Sequence, residues 1–353
     1  MEQTDLDSRV SAVYENAKKS GDLIYYESER HYVESCGIRF EVRLVPGLIR
    51  KPDSRPEDTE KKPGFVNPFK PYNPHLHVED ISPTHVLLLN KFCVVPHHSL
   101  IVTKEFLRQG DPLGLADFDA VVRVIARLSA RSVVFYNSGP ESGASQPHKH
   151  LQVLPVAGEG AKAVPPVLRK FLAQDSAVGE VASSLGLGFV HYGVRLDPAV
   201  MGRLPTRGAD DDELDLRVVA DTARYLLRTY QQVLGQLARD WPALASSSQG
   251  QAGAATNDGV PEGGDGEDPG ARSPSGPGVI SYNLVVVREC MLAVPRSVHA
   301  WNGIGVNSLG PAGLFLAKNT EALNKIRELG PLTILQRIGY AAPPAGAGDS
   351  PSA

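Results

Sequence analysis

Apolar positions along this chain follow two periods, and each predicts its own kind of element. Leu6, Val10, Val13 and Ala17 fall on one stripe and predict a helix over 6–18. Phe118, Val121, Val122, Ile125 and Leu128 obey the spacing of a second amphipathic helix. A longer helical pattern, with Val219, Leu226, Tyr230, Val233 and Leu237, covers 216–237 ahead of Trp241, and another helix is expected over 314–329. β-Branched and aromatic runs predict strands at 24–28, 38–45, 85–89, 92–96, 100–103, 133–136, 148–154, 282–287 and 292–295. Pro96-His97-His98-Ser99 joins two of them. Its histidines read as turn residues in contact with solvent, with a metal pair as the alternative.

The order strand, turn, strand, helix, strand, loop, strand fits an α+β fold with a mostly antiparallel sheet and the long helix on one face. The second half repeats this order more loosely and is expected to supply the missing wall of a pocket. The division is placed at 1–200 and 201–340. Pro52–Tyr72, rich in Pro and charge, reads as a surface loop. Ser246–Gly278 has almost no large apolar side chain, so burial cannot offset the entropy of ordering it. It reads as a disordered insertion, and Ala341–Ala353 as a disordered tail.

Candidate chemistry gathers between Asn137 and Gln152. A strand ending at Asn137 runs into the small-residue loop Ser138-Gly139-Pro140-Glu141-Ser142-Gly143-Ala144-Ser145-Gln146, whose free backbone N–H groups suit an anion. His148-Lys149-His150-Leu151-Gln152 then resumes a strand. Alternation puts His148, His150 and Gln152 on one face and Leu151 and Val153 on the other. Two imidazoles and an amide beside a phosphate-sized loop suggest nucleophilic chemistry at phosphorus, because a neutral imidazole attacks and an amide donates to a phosphoryl oxygen. Two readings of Lys149 stay open: a solvated strand-edge charge, or an extra phosphate contact.

The segment Ser142-Gly143-Ala144-Ser145-Gln146-Pro147-His148-Lys149-His150-Leu151-Gln152 resembles the active-site segment of the diadenosine tetraphosphate phosphorylases, or ATP adenylyltransferases, of the histidine-triad superfamily. The runs His85 to Phe106 and Ser281 to Val287, with Met291 to Arg296, are also similar, so the likeness spans most of 25–340. The resemblance implies a histidine-triad-like sheet flanked by helices, with the C-terminal half completing the nucleotide pocket. It implies phosphorolysis of diadenosine tetraphosphate to ADP and ATP through an adenylyl-His150 intermediate, with the reverse transfer also catalysed. His148 and Gln152 complete the expected catalytic set. Lys51, Asn137, Gly143, Ala144, Ser145 and Gln146 would hold phosphates, Asn90 and Lys91 the adenosine, and Asn283, Met291 and Arg296 would come from the C-terminal half. The substrate partners would be a dinucleoside polyphosphate and inorganic phosphate, with Mg²⁺ or Mn²⁺ carried on the phosphate oxygens. A third His ends the motif in histidine-triad hydrolases. Gln152 stands there instead, which favours transfer to an acceptor over transfer to water.

Composition narrows the alternatives. The 353 residues, 42% hydrophobic, suffice for a full core. A net charge of −4 argues against a nucleic-acid-binding protein. The insertion's five acids against one Arg account for that whole charge, leaving the remainder neutral. No apolar run approaches the ~18 residues of a membrane span and no signal peptide opens the chain, so a cytoplasmic location is expected. Cys36, Cys93 and Cys290 are isolated beside apolar runs and read as buried thiols, with no Cys-x-x-Cys to hold zinc. A hexose-1-phosphate uridylyltransferase shares the Ser-x-Pro-His-x-His-x-Gln core, but usually has Pro between the histidines and often Cys-rich zinc sites, both absent here. A non-catalytic dinucleotide sensor would have no use for a positioned nucleophile. Oligomeric state is not legible in the sequence.

Overall fold

The computed structural model describes residues 5–50, 66–129, 131–156, 164–183, 186–205, 214–240 and 280–342. Lys51, most of the expected 52–72 loop, the 246–278 insertion and the tail beyond 342 lie outside the described residues. Helix α1 (Leu6–Ser20) precedes a hairpin of β1 (Glu29–Ser35) and β2 (Ile38–Leu44). Next come β3 (His77–Asp80), β4 (His85–Leu89), β5 (Ser99–Thr103), α2 (Leu115–Arg127), β6 (Ser132–Ser138) and β7 (His150–Pro155). The chain continues through α3 (Pro166–Leu172), β8 (Val181–Ala182), β9 (Tyr192–Arg195), α4 (Leu216–Asp240), β10 (Tyr282–Val286) and β11 (Cys290–Pro295). It ends with β12 (Leu314–Ala317), α5 (Thr320–Leu329) and α6 (Pro331–Ile338).

Nine strands form one sheet in the order β8-β9-β11-β10-β6-β7-β5-β4-β3, with every pairing antiparallel. The fold is α+β, as expected. The expected division at 200/201 meets no break in the sheet, because β10 pairs directly with β6 and sets Asn283 opposite Asn137. All residues of β4, β5, β10 and β11 are buried. That is why they read as unbroken apolar runs: both faces of the sheet are covered.

One face carries Leu87, Ile101, Val134, Leu151, Leu284 and Met291 in a core shared with α1, α2 and α4. The opposite face is covered in two places. Phe135, Leu154, Val285 and Leu292 pack against β2, α3, β12, α5 and α6. Toward the other edge Val86, Leu88, Leu100 and Val102 lie under Phe69 and Tyr72. His150 and Gln152 occupy the strip between those two patches, His150 beside Val102 and Gln152 between Leu100 and Phe135.

Several elements differ from expectation for local reasons. The helix expected over 314–329 divides: Leu314–Ala317 pairs in parallel with β2, and Asn319 then caps α5 by accepting from the Ala322 N–H at 2.8 Å. The strand expected at 92–96 shrinks to Phe92-Cys93, paired with Ile24-Tyr25. The strand expected from His148 starts at His150, and His148 makes an isolated bridge to Arg108. Cys36 is exposed at the β1–β2 turn, where it and Gly37 both adopt positive φ, whereas Cys93 and Cys290 are buried. Ala341, placed in the tail, bridges Phe189. Among the described residues no helix is long and apolar enough to cross a membrane.

Neither reading of Lys149 holds. It is 3% exposed on the helix-covered face of the sheet, and its Nζ donates to Asp117 Oδ2 at 3.0 Å and to Pro112 O at 2.8 Å. His85 Nε2 meets the other Asp117 oxygen at 3.1 Å. Burial works against the Asp117 carboxylate. The His85 hydrogen bond and the Lys149 charge outweigh it and hold the group below its usual value. A depressed folded pKa means stabilisation that is complete above the unfolded value of about 3.9 and lost as pH falls through the folded one. Asp117→Asn is expected to lower stability by about 3 kcal/mol at neutral pH, since it strands a buried ammonium. It should also flatten the acid limb of the urea midpoint plotted against pH. An unaltered acid limb would show that this pair carries no proton linkage.

Candidate active site

His150 is 5% exposed and lines a cavity of about 1270 Å³. Its Nδ1 lies 2.8 Å from the carbonyl oxygen of His148. A carbonyl only accepts, so Nδ1 carries the proton and the lone pair is on Nε2. The backbone of His150 is held by a side chain. The β6–β7 ladder ends at Phe135 opposite Gln152. Two residues further on, where Asn137 and His150 no longer pair, the amide of Gln109 sits between them. Its Nε2 donates to Asn137 O at 2.9 Å and His150 O at 3.1 Å, and its Oε1 accepts from the His150 N–H at 2.9 Å. This amide acts as a rung between two strands that have begun to part around the 139–147 loop.

Gln152 also lines the cavity. Its Oε1 is 3.0 Å from His98 Nε2, and His98 Nδ1 is 3.2 Å from Asn90 Nδ2. His98, expected in solvent contact, is 9% exposed. The two motif imidazoles part company. His148 is fully buried, its Nε2 donating to Thr103 O at 2.7 Å and its Nδ1 2.9 Å from Asn67 Nδ2. Phe69 and Phe106 stand edge-on to its ring, and burial pushes its pKa below the usual histidine value. It does not line the cavity. It contributes the carbonyl that orients His150.

Much of the charged lining is cationic. On the β1–β2 hairpin Ile38, Phe40, Val42 and Leu44 turn inward, while Arg39, Glu41 and Arg43, with Arg30 and Tyr32 across the ladder, line the cavity. Lys91, Arg169, Lys318 and Lys325 add to them, against Glu41 and Glu321. Sequence reading missed this lining, although the period-two alternation of Ile38–Leu44 announced it. Among the described residues no group of three or more His, Cys, Asp or Glu could hold a metal ion.

Two family models together match nearly the whole chain: the Ap4A phosphorylase N-terminal domain over residues 1–173, and the ATP adenylyltransferase C-terminal domain over 186–341. This chain belongs to the diadenosine tetraphosphate phosphorylase family. It is 28% identical to diadenosine tetraphosphate phosphorylase 2 of Saccharomyces cerevisiae, over 93% of this chain and 92% of that protein. It is 27% identical to Protein APA1 of the same yeast, over 92% and 90%. Its fold matches the crystal structure of yeast Ap4A phosphorylase Apa2 in complex with AMP, with a TM-score of 0.67, 22% identity and coverage of 97% and 99%. The Apa2 structure in complex with Ap4A matches with a TM-score of 0.66.

Of the residues that the family resemblance implied, Asn90, Lys91, Gly143, Ala144, Ser145, Gln146, His150 and Gln152 line the cavity. Gly143 has φ +81°, and any Cβ there would meet the Val306 carbonyl, so only glycine lets the loop lie so close to the C-terminal half. Besides His148, four others do not reach the cavity. Asn137 is 1% exposed, its Oδ1 accepting from Asn283 Nδ2 at 3.0 Å, Ser308 N at 2.8 Å and Ser308 Oγ at 2.7 Å. Asn283 also donates to Ser142 O at 2.7 Å and accepts from Arg296 Nη1 at 2.6 Å. Arg296, lowered to about 9 by burial and hence still protonated at neutral pH, donates to the Val306 and Val298 carbonyls at 2.7 and 2.9 Å. These three fasten the 139–147 loop to the C-terminal half from behind. Met291 lies on the helix-covered face, in the core on the far side of the sheet.

Gln109→Leu is expected to leave the His150 N–H and two carbonyls buried without partners, at about 2–4 kcal/mol. Chemical denaturation measures the loss. Activity should fall as well, because the His150 end of β7, beyond the last ladder pair at Phe135 and Gln152, loses its link to β6. A variant as stable and active as the wild type would sink the role given to this amide.

Proposed function

We propose that this protein phosphorolyses diadenosine tetraphosphate to ADP and ATP through an adenylyl-His150 intermediate. The supporting observation is the orientation of His150, a residue of the cavity lining whose Nδ1–H is bonded to the His148 carbonyl, which makes Nε2 the lone-pair nitrogen. Nε2 attacks the α-phosphorus. The N–P bond forms, the P–O bond to the leaving nucleotide breaks, and ATP departs. An oxygen of inorganic phosphate then attacks the same phosphorus, the N–P bond breaks and ADP forms. The imidazole gains positive charge as it is adenylylated, and the His148 carbonyl stabilises that charge at Nδ1. Splitting the displacement into two in-line steps is what a nucleophile contributes. The Gln152 amide supplies a donor to a non-bridging oxygen, and the loop from Gly143 to Gln146 is placed to hold the phosphates.

The cationic lining suits a polyanion as large as a dinucleoside tetraphosphate, and the cavity exceeds the usual range for small ligands of about 300–1,000 Å³. Mg²⁺ or Mn²⁺ would enter on the polyphosphate oxygens, where it neutralises charge. The lysines and arginines of the lining fit a cation carried by substrate better than one held by the protein.

Product analysis with diadenosine tetraphosphate and Mg²⁺ tests the reading. ADP plus ATP is expected only when inorganic phosphate is present. AMP plus ATP without phosphate would make the protein a hydrolase. His150→Ala is expected to abolish turnover, and His148→Ala to retain a measurable fraction of it. The reverse ranking would mean that the nucleophile is misassigned.

A further inference from the structure

We propose that His98 is a positioning residue of this reaction: Asn90 holds it in one tautomer, and it turns the Gln152 amide so that the NH2 group faces the substrate phosphates. The inference rests on the phosphoryl-transfer reading of the cavity. The order of donors starts from a backbone group that can only donate. The Phe92 N–H is 3.1 Å from Asn90 Oδ1, which identifies the oxygen of that amide. Asn90 Nδ2 is therefore the atom that faces His98 Nδ1 at 3.2 Å, and an amide nitrogen only donates. Nδ1 accepts, so the proton of a neutral His98 is on Nε2, 3.0 Å from Gln152 Oε1. Gln152 gives its oxygen to His98 and keeps its two N–H donors for the cavity.

The reversed amide would set two N–H groups against each other at 3.0 Å. It would also present a carbonyl oxygen to phosphate oxygens, replacing a charge-assisted hydrogen bond with repulsion. His98 is well placed to enforce one orientation. It is 9% exposed, its carbonyl accepts from the Asn90 N–H at 2.8 Å, and its ring lies 6.1 Å from that of Phe135. A side chain of nearly symmetric shape thus becomes a donor of fixed direction, two residues along β7 from the nucleophile.

Three readouts test this. In phosphorolysis of diadenosine tetraphosphate, His98→Leu is expected to lower kcat by about 10- to 100-fold with little change in KM, short of the ~10²–10³ for removing such a donor outright by Gln152→Ala. His98→Gln, whose amide nitrogen can occupy the Nε2 position, should recover most of the rate. The double variant His98→Leu/Gln152→Ala should be no slower than Gln152→Ala alone, because both changes remove one interaction. Full multiplication of the two losses, or a loss confined to KM, would overturn the proposal. The tautomer is read without any turnover: long-range 15N spectra of the wild-type protein labelled at histidine should show His98 protonated at Nε2. Protonation at Nδ1 would reverse the amide and overturn the inference whatever the activity. Absence of turnover in the wild type with an Nε2–H tautomer would count against the substrate assignment alone.

Discussion

Strand β7 has to carry an imidazole and an amide on a sheet face that is largely apolar, and every polar atom there must be bonded or turned to the cavity. That requirement organises the site. His150 Nδ1 meets a carbonyl two residues back, its peptide group meets the Gln109 amide, and Gln152 Oε1 meets His98. The bonds that make these groups tolerable in a buried strip are the ones that aim their remaining atoms. Burial and orientation here are a single problem with a single solution.

The elements that sequence reading placed well are those whose signal is local. α1, α2 and α4 follow their helical stripes, and the central strands follow their apolar runs. β1 was missed because Glu29–Ser35 is largely exposed and polar, so it shows no apolar run. The site was half legible. His150, Gln152 and the loop between Gly143 and Gln146 could be read from one continuous stretch of chain. His98 could not, because its role depends on a residue 54 positions away, while its own surroundings spell a turn. Asn137 and Asn283 were expected to contact substrate, but neither lines the cavity and their side chains bond each other across 146 residues of sequence. Lys149 shows the same limit. Strand alternation turned it away from His150, but only the fold reveals Asp117 beneath it.

Charge is sorted between surface and cavity. The chain is net acidic, yet the polar face of the β1–β2 hairpin brings Arg30, Arg39 and Arg43 to one wall of the pocket. Arg43 is steadied by Glu41 at 2.7 Å, and Arg39 lies over the Tyr32 ring at 4.1 Å. A concave wall with an excess of positive charge focuses potential inward and draws a polyanion, whatever the global charge.

The continuity of the sheet across both halves also bears on how the protein is made. β6 emerges from the ribosome long before β10, its neighbour on one side, so its edge waits unpaired while roughly 140 further residues are synthesised. A topology dominated by such distant pairings folds slowly. The 41 residues between Asp240 and Tyr282 add little to that difficulty. Loop-closure entropy grows only logarithmically, about 0.6 kcal/mol for each doubling of length, so this connection could lengthen over evolutionary time without disturbing the strands it joins.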